Sequence, residues 1–266
     1  MTAQPLDAIF SLRNIPVACH CEDETIIKAN IAAYREEYGE TIDPSFHPVI
    51  RSREAAIVSS KAAVNLACRG GARLHLLHLS TAEETKIAGR GRGSLQKQII
   101  GEACVHHLCW FDDTYWRNER KPHQMESPIR KASDRESLLR AIREGLIDII
   151  ATDHAPHTIE EKSAPYFSAP SGGPTIQHSL VMMLELCHRG ELTPELVVRK
   201  MCHNPAKIFG ITDRGFIREG YKADLVLVDP ASPWTVTREN ILTSAGGLLL
   251  REPHSAADSD NITNGA

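Results

Sequence analysis

The 266-residue sequence lacks any apolar run near the length of a membrane span, and no charged-then-apolar leader opens it. It also lacks a basic excess, because a net charge of −4 leaves no electrostatic footprint for nucleic acid. It has no CxxC pair, and its seven cysteines, an odd number, are scattered. These absences argue against a membrane protein, a nucleic-acid-binding protein, a disulfide scaffold and a zinc finger. They favour reduced thiols in the cytoplasm.

What the sequence does have is the composition of an ordinary globular protein, with 42% hydrophobic and 24% charged residues. Its length suffices for one large domain, or for one domain with a small appendage. Histidine is the unusual residue, because the chain has 13 and several stand at the ends of apolar runs.

Short apolar runs alternate with helical patterns over the first three-quarters of the chain, which predicts βα units, a parallel sheet and the α/β class. The predicted strands are NIPVACH, ARLHLLHLS, QIIGEACVHHL and LIDIIATD. The predicted helices between them include DETIIKANIAAYREEYG with a stop at Gly39, HPVIRSREAAIVSSKAAVNLACRGG, and TAEETKIAG with a Ser or Thr cap. Near Arg214 the pattern changes to the alternating GFIREGYKADLVLVD, which predicts a small antiparallel unit.

Three of the predicted strands end in a side chain that can bind a metal: His20, His78 and Asp153. In a parallel α/β barrel the carboxyl ends of the strands converge on one mouth, where catalytic residues collect. Two imidazoles and a carboxylate there suit Zn²⁺ or another borderline divalent ion. Each residue also has a structural alternative, because a single histidine is usually hydrogen-bonded and an aspartate often caps a turn. The three together favour a site, since they can share one cation.

The motifs around these residues resemble those of the dihydroorotases, cyclic amidohydrolases of the metal-dependent amidohydrolase superfamily. In chain order the matching motifs are HCEDE, LHLLHLST, VHHL, ATDHAPH, MCHNPAKIFGI and GFIREGYKADLVLVD. The resemblance covers about residues 6–242 and implies a partial TIM-type (β/α)8 metal-dependent hydrolase barrel over residues 1–213. It implies the remnant of a small β-sandwich domain over residues 214–242, followed by a frame-shifted, disordered tail over residues 243–266.

The resemblance also implies a metal centre. His20 and His78 would ligate one ion of a binuclear zinc centre, and Asp153 would ligate the other. Asp153 would also act as the general base that takes a proton from water and passes it to the leaving amide nitrogen.

Substrate contacts are implied as well. His157 would contact the substrate carboxylate, and backbone groups at Gly172 and Gly173 would contact the ring. For further residues within or beside these motifs a structural role is the preferred interpretation: Cys104, His106, His107 and His154.

The activity that the resemblance implies is hydrolysis of (S)-dihydroorotate to N-carbamoyl-L-aspartate in pyrimidine biosynthesis, by metal-activated hydroxide. A sister amidohydrolase acting on allantoin, hydantoin or dihydropyrimidine rings is the enzymatic alternative. A non-catalytic dihydroorotase-like partner of aspartate transcarbamoylase is the alternative from another class. The expected ligand is therefore a small cyclic amide, and the expected location of the protein is the cytoplasm. A homodimer and an association with aspartate transcarbamoylase are both compatible with the family.

The sequence departs from the family pattern in three places. It shows no first-strand His-x-His-x-Arg motif, so we expect four barrel strands and the first metal's main ligands to be absent, and this chain alone to be inactive and poorly stable. Glu126 stands where the family has an asparagine, and its charge would disfavour an anionic substrate unless it faces away or pairs with Arg120 or Arg130. After Thr243 another reading frame can spell the family's closing Lys-Cys-Gly-Trp-Ser-Pro-Phe, which predicts a frame shift.

Overall fold

The computed structural model describes residues 3–89, 97–112, 124–243 and 255–262, the last of these by backbone alone. Its centre is a parallel sheet of four strands in the order β1-β2-β3-β4. These strands are β1 (Pro16–Cys19), β2 (Arg73–Leu76), β3 (Ile99–Cys104) and β4 (Ile149–Ala151). Because they are parallel and added in sequence order, their carboxyl ends lie along one edge. The predicted α/β class is confirmed.

Helices connect and cover these strands. Within the described residues they are α1 (Ala3–Ile9), α2 (Glu24–Tyr38), α3 (His47–Ile50), α4 (Arg53–Gly70), α5 (Ala82–Ala88), α6 (Val105–Cys109), α7 (Ala132–Arg143), α8 (Ile159–Ser163), α9 (Ser179–His188), α10 (Pro194–Val198) and α11 (Asn204–Phe209). A π-helical segment, Arg199–His203, joins α10 to α11. None of the helices described here is long and apolar enough to cross a bilayer.

The main hydrophobic cluster joins the sheet to helices α4, α7 and α9. It contains Leu74 and Leu76 of β2, Ala67 of α4, Leu139 of α7 and Met183 of α9, each with no exposed surface. Burial of a large apolar side chain contributes roughly 1.5–3 kcal/mol, so this packing fixes the strands whose ends carry the predicted site. The near-continuous apolar strands follow from a parallel sheet that is covered on both faces.

Helix boundaries follow the local signals in the sequence. The carboxylate of Asp23 accepts two backbone N–H bonds from the first turn of α2, and Gly39, with a φ of +76°, ends that helix. Thr81 and Glu84 form a reciprocal capping box at the start of α5. The predicted stop at Gly39 and the predicted Thr cap are therefore confirmed.

The long helix predicted for HPVIRSREAAIVSSKAAVNLACRGG is wrong in one respect, because it breaks between α3 and α4. Ser52 has an extended backbone there and caps α4 with its hydroxyl. The backbone oxygens around the break accept from the Arg130 guanidinium: Nη1 lies 2.9 Å from Pro48 O and 2.7 Å from Arg51 O, and Nη2 lies 3.4 Å from Ser52 O. A distant side chain thus replaces the helical hydrogen bonds that the break removes.

The C-terminal region contains an antiparallel pair, β5 (Leu225–Thr235) and β6 (Ser255–Ile262). The antiparallel unit predicted from Arg214 is therefore present, although its strand begins at Leu225. The tail predicted from Thr243 includes β6, which pairs with the edge of β5, and its disorder stays a prediction. Residues 244–254 and 263–266 lie outside the described residues. The domain limits and the frame shift stay predictions.

Candidate active site

Chemically reactive side chains follow three of the parallel strands. His20 comes directly after β1, His78 two residues after β2, and Asp153 two residues after β4. Two of them have a left-handed backbone, with a φ of +35° at His78 and +48° at Asp153. This conformation costs a non-glycine residue on the order of 1 kcal/mol and is found preferentially at functional sites. The sheet therefore delivers all three residues to one edge, two of them under strain.

The imidazoles of His20 and His78 are in direct contact. Nδ1 of His20 lies 2.9 Å from Nε2 of His78. The other nitrogen of His20, Nε2, lies 3.2 Å from the Glu22 carboxylate, which favours the tautomer with its proton on Nε2 and a lone pair on Nδ1. The contact with Glu22 raises the pKa of His20, whereas burial lowers the pKa of His78 to about 4. At neutral pH His78 is therefore uncharged.

Glu22 is held by an arginine from the break between α3 and α4. Nε and Nη2 of Arg51 lie 2.8 Å and 2.7 Å from Glu22 Oε2. Burial alone would raise the pKa of Glu22, but its contacts with His20 and Arg51 outweigh burial and lower that pKa to about 2. Glu22 is therefore ionised, and it orients the His20 ring as a carboxylate behind a metal-binding histidine does.

The same guanidinium also holds Glu126, because Nη1 of Arg51 lies 3.0 Å from Glu126 Oε1. The sequence had suggested Arg120 or Arg130 as the partner, or a side chain that faces away. The structure instead pairs Glu126 with Arg51, and Arg120 lies outside the described residues. Arg51 was missed because it follows no strand. It reaches the site only through the helix break.

Asp153 lies in the field of a second buried carboxylate, Glu102 of β3. Burial, followed by the charge of Glu102, raises the pKa of Asp153 to about 6. Glu102 is itself held by the backbone N–H of His78, 3.3 Å from its Oε1. Glu102 was also missed, although a glutamate inside an otherwise apolar strand was the available signal.

Asp153 does not take part in the close contact between the two imidazoles. Among the described residues the ligand atoms of His20, His78 and Asp153 do not all lie within 4.8 Å of one another, whereas those of another group do. The structure therefore brings His20 and His78 into contact. Asp153 lies outside this contact but close enough for the charge of His20 to influence its pKa.

The two segments predicted to contact substrate are joined by hydrogen bonds. Nε2 of His157 lies 3.0 Å from the carbonyl oxygen of Ser171, and the N–H of Ala155 donates to the Gly173 carbonyl at 3.1 Å. Gly172 has a φ of +126°, and a Cβ there would lie 2.7 Å from the Ala155 carbonyl oxygen. Only glycine fits this approach, so the predicted substrate residues form one local structure after β4.

The group that does meet the distance limit is Cys104, His106 and His107, where β3 runs into α6. Their exposed fractions are 0%, 0% and 3%. Burial lowers the pKa of His107 to about 3 and that of His106 well below its usual range, so both imidazoles are neutral at pH 7. The sequence analysis preferred structural roles for these residues. The C-x-H-H spacing was the signal that could have found the group.

Comparison with known sequences finds relatives that are named dihydroorotase. The chain is 39% identical over 186 residues to a dihydroorotase from Halobacterium salinarum, covering 68% of this chain and 41% of that protein. It is 32% identical over 250 residues to a dihydroorotase from Methanosphaera stadtmanae, covering 92% of this chain and 56% of that protein. The chain thus spans about half the length of the curated relatives that it matches.

Solved structures agree on the fold. A D-hydantoinase (dihydropyrimidinase) from a Thermus species has a TM-score of 0.86 at 21% identity, covering 98% of this chain and 58% of its own. An L-hydantoinase (dihydropyrimidinase) from Arthrobacter aurescens has a TM-score of 0.81 at 25% identity, covering 99% of this chain and 58% of its own. A model of the amidohydrolase family matches residues 7–264.

The fold therefore defines a parallel α/β protein whose strand ends carry chemically reactive side chains. The chain belongs to the amidohydrolase family. Its members generally use a metal, and the described residues include a cluster that could hold one. The predicted family and the predicted barrel class of the fold are confirmed.

Proposed function

We propose that this chain carries catalytic residues of a cyclic-amide hydrolase that opens (S)-dihydroorotate to N-carbamoyl-L-aspartate. The observation that carries the proposal is the 2.9 Å contact between the His20 and His78 imidazoles, at the sheet edge that also bears Asp153. The names of the relatives from Halobacterium salinarum and Methanosphaera stadtmanae support dihydroorotate as the ring.

The side chains at this edge fit a divalent cation. Because the Glu22 carboxylate favours a proton on Nε2 of His20, the lone pair on Nδ1 points toward Nε2 of His78. A cation would use a lone pair from each ring, a nitrogen donor pair that suits Zn²⁺, and the carboxylate of Asp153, which lies outside this close contact, would ligate the other ion of the centre. Such an ion would polarise the scissile carbonyl and lower the pKa of water.

Asp153 is the proposed general base. With a pKa of about 6 it is mostly ionised at pH 7, yet it is basic enough to hold a proton for part of a turnover. It would accept the proton of the attacking water while the oxygen–carbon bond forms. It would then deliver that proton to the ring nitrogen as the carbon–nitrogen bond breaks.

His157, Gly172 and Gly173 are the proposed substrate contacts. The bond between His157 Nε2 and the Ser171 carbonyl implies that Nε2 carries a proton, because a carbonyl only accepts. The close packing at Gly172 fixes the adjacent backbone groups in position. A rigid backbone could present its N–H and C=O groups to a planar ring without paying to order a loop.

A hydantoinase or dihydropyrimidinase activity is the second candidate, and Glu126 favours it. Glu126 is 46% exposed at its side chain and shares one guanidinium with the ionised Glu22. The group of three therefore keeps a net negative charge, which suits a neutral ring better than an anionic one. Arg51 reduces this penalty for dihydroorotate but does not remove it.

The test is ring opening of dihydroorotate and of hydantoin, followed by absorbance. It uses the purified chain, and the chain joined to the part of the Methanosphaera stadtmanae relative that the match does not cover. Faster opening of dihydroorotate supports the first candidate, and faster opening of hydantoin supports the second. A folded, metal-loaded protein that opens neither ring would support a non-catalytic role. The Asp153→Asn variant is the matched control for contaminating activity.

The proposal includes a cytoplasmic enzyme with a small-molecule substrate. All seven cysteines are free thiols, which suits a reducing compartment. A homodimer and an association with aspartate transcarbamoylase remain predictions from the family resemblance. Sedimentation of the purified chain, with and without aspartate transcarbamoylase, would test both.

A further inference from the structure

The buried group of Cys104, His106 and His107 has polar atoms that the described part of the chain leaves unpaired. Neither ring nitrogen of His106 has a hydrogen-bond partner among the described residues, and Nδ1 of His107 has none either. A buried polar atom without a partner has lost its hydrogen bonds to water and gained none in return. Three such atoms in one group therefore destabilise the fold unless a ligand satisfies them.

The tautomer of His107 leaves a lone pair on its Nδ1 atom. Nε2 of His107 lies 2.8 Å from the Ser127 carbonyl oxygen, which can only accept, so this nitrogen carries the ring proton. Nδ1 is then an unprotonated lone pair inside the core. A backbone carbonyl that fixes the far side of the ring is the usual arrangement of a metal-binding histidine.

The third member supplies a soft donor. Sγ of Cys104 lies 3.9 Å from Oε1 of Glu102, and all three potential ligand atoms lie within 4.8 Å of one another. A thiol and two neutral imidazoles match the cysteine and histidine ligands of structural zinc sites. Glu102 adds a nearby negative charge, which would offset part of the charge of a buried cation.

We propose that Cys104, His106 and His107 bind a Zn²⁺ ion that is separate from the strand-end site. Binding breaks the S–H bond of Cys104 and releases its proton to solvent, while the thiolate and two imidazole nitrogens become ligands. The ion joins the last residue of β3 to α6 and so stiffens the strand that carries Glu102. Because the group is fully buried, the ion enters as the chain folds.

The test uses Co²⁺ in place of Zn²⁺, because a thiolate bound to Co²⁺ gives a charge-transfer band in the near ultraviolet. His20, His78 and Asp153 contain no sulfur, so the band reports on a cysteine ligand alone. The metal-free full-length chain is refolded with Co²⁺ and then titrated with Zn²⁺. We expect a band that saturates at one ion per chain and disappears as Zn²⁺ displaces Co²⁺.

Variants assign the band to its ligand. Cys104→Ser should abolish it. Cys109→Ser on the same helix, Cys21→Ser beside the strand-end site and Asp153→Asn should each retain it. Absence of the band in the unsubstituted chain, or its persistence in Cys104→Ser, would overturn the proposal. X-ray absorption at the zinc edge of the unsubstituted chain needs no variant. A sulfur atom among the neighbours of zinc would support the site, and a spectrum without a sulfur neighbour would refute it.

The proposed zinc site and the proposed hydrolase can fail separately. Ring opening without the charge-transfer band would leave the hydrolase proposal standing and remove this zinc site. The band without ring opening would do the reverse.

Discussion

Nη1 of Arg51 lies 3.0 Å from Oε1 of Glu126, while its Nη2 lies 2.7 Å from Oε2 of Glu22. One guanidinium therefore links the carboxylate that orients His20 to Glu126, which stands where the family resemblance leads us to expect an asparagine. The charge on Glu126 is thus partly neutralised before any substrate arrives. Its effect on substrate choice should be modest rather than prohibitive.

Glu126→Gln should raise the preference for the anionic ring. The change keeps the shape of the side chain, introduces an amide donor and leaves Arg51 with one carboxylate partner. An exposed ion pair contributes about 0.2–1 kcal/mol, so the ratio of kcat/KM for dihydroorotate over hydantoin should rise by up to about five-fold. The matched control is Glu136→Gln, which removes another exposed partner of an arginine, Arg143, away from the site. An unchanged ratio in Glu126→Gln would show that this side chain does not contact substrate.

Asp153→Asn should abolish most turnover while the fold persists. An amide cannot accept the proton of the attacking water, and loss of a general base alone costs roughly 10²–10⁴-fold in rate. The measurements are kcat for ring opening and the circular dichroism spectrum of the variant. Near-normal kcat with a native spectrum would remove Asp153 from the mechanism.

Glu102→Gln should move the acid limb of the pH–rate profile to lower pH. The charge of Glu102 helps to raise the pKa of Asp153 to about 6, so the unsubstituted protein should lose activity as the pH falls through about 6. Removing that charge lowers the pKa of Asp153, and the base then stays ionised in more acidic solution. The measurement is kcat/KM against pH, because its acid limb reports on the free enzyme. A limb that stays in place would show that another group controls it.

His20→Ala and His78→Ala should each lower the metal bound at the strand-end site. The two rings face each other across 2.9 Å, so loss of either removes half of the imidazole donors. Metal content is measured by mass spectrometry after dialysis. His188→Ala, an exposed histidine at the end of α9, serves as the control. Full metal content in either site variant would assign that histidine a structural role.

The sequence predicts which residues stand at the strand ends better than it predicts the ion pairs between them and distant segments. An apolar run that ends in His20, His78 or Asp153 is a local pattern, and parallel pairing necessarily brings such ends to one edge. The pairing of Arg51 with Glu126 joins residues far apart in the chain, so no local pattern predicts it.

The same limit applies to the buried group. Cys104, His106 and His107 lie within four consecutive positions of the sequence, but their burial depends on segments that follow later in the chain, such as the one that carries Ser127. Local spacing therefore suggests the ligands, and only tertiary packing shows which of their ring nitrogens have no partner in the described part of the chain.

Arg130→Met should destabilise the fold by on the order of 3 kcal/mol, because it removes the donors for three backbone oxygens at the break between α3 and α4. Arg130→Lys should recover part of this loss, since an ammonium group donates but lacks the planar fork that spans several oxygens. The measurement is urea unfolding followed by circular dichroism. Arg140→Met, on the exposed face of α7, should change the free energy of unfolding by less than about 0.5 kcal/mol. If Arg130→Met proves as stable as this control, water or another donor must satisfy the break. The position of Arg51, and with it the orientation of His20, would then not depend on Arg130.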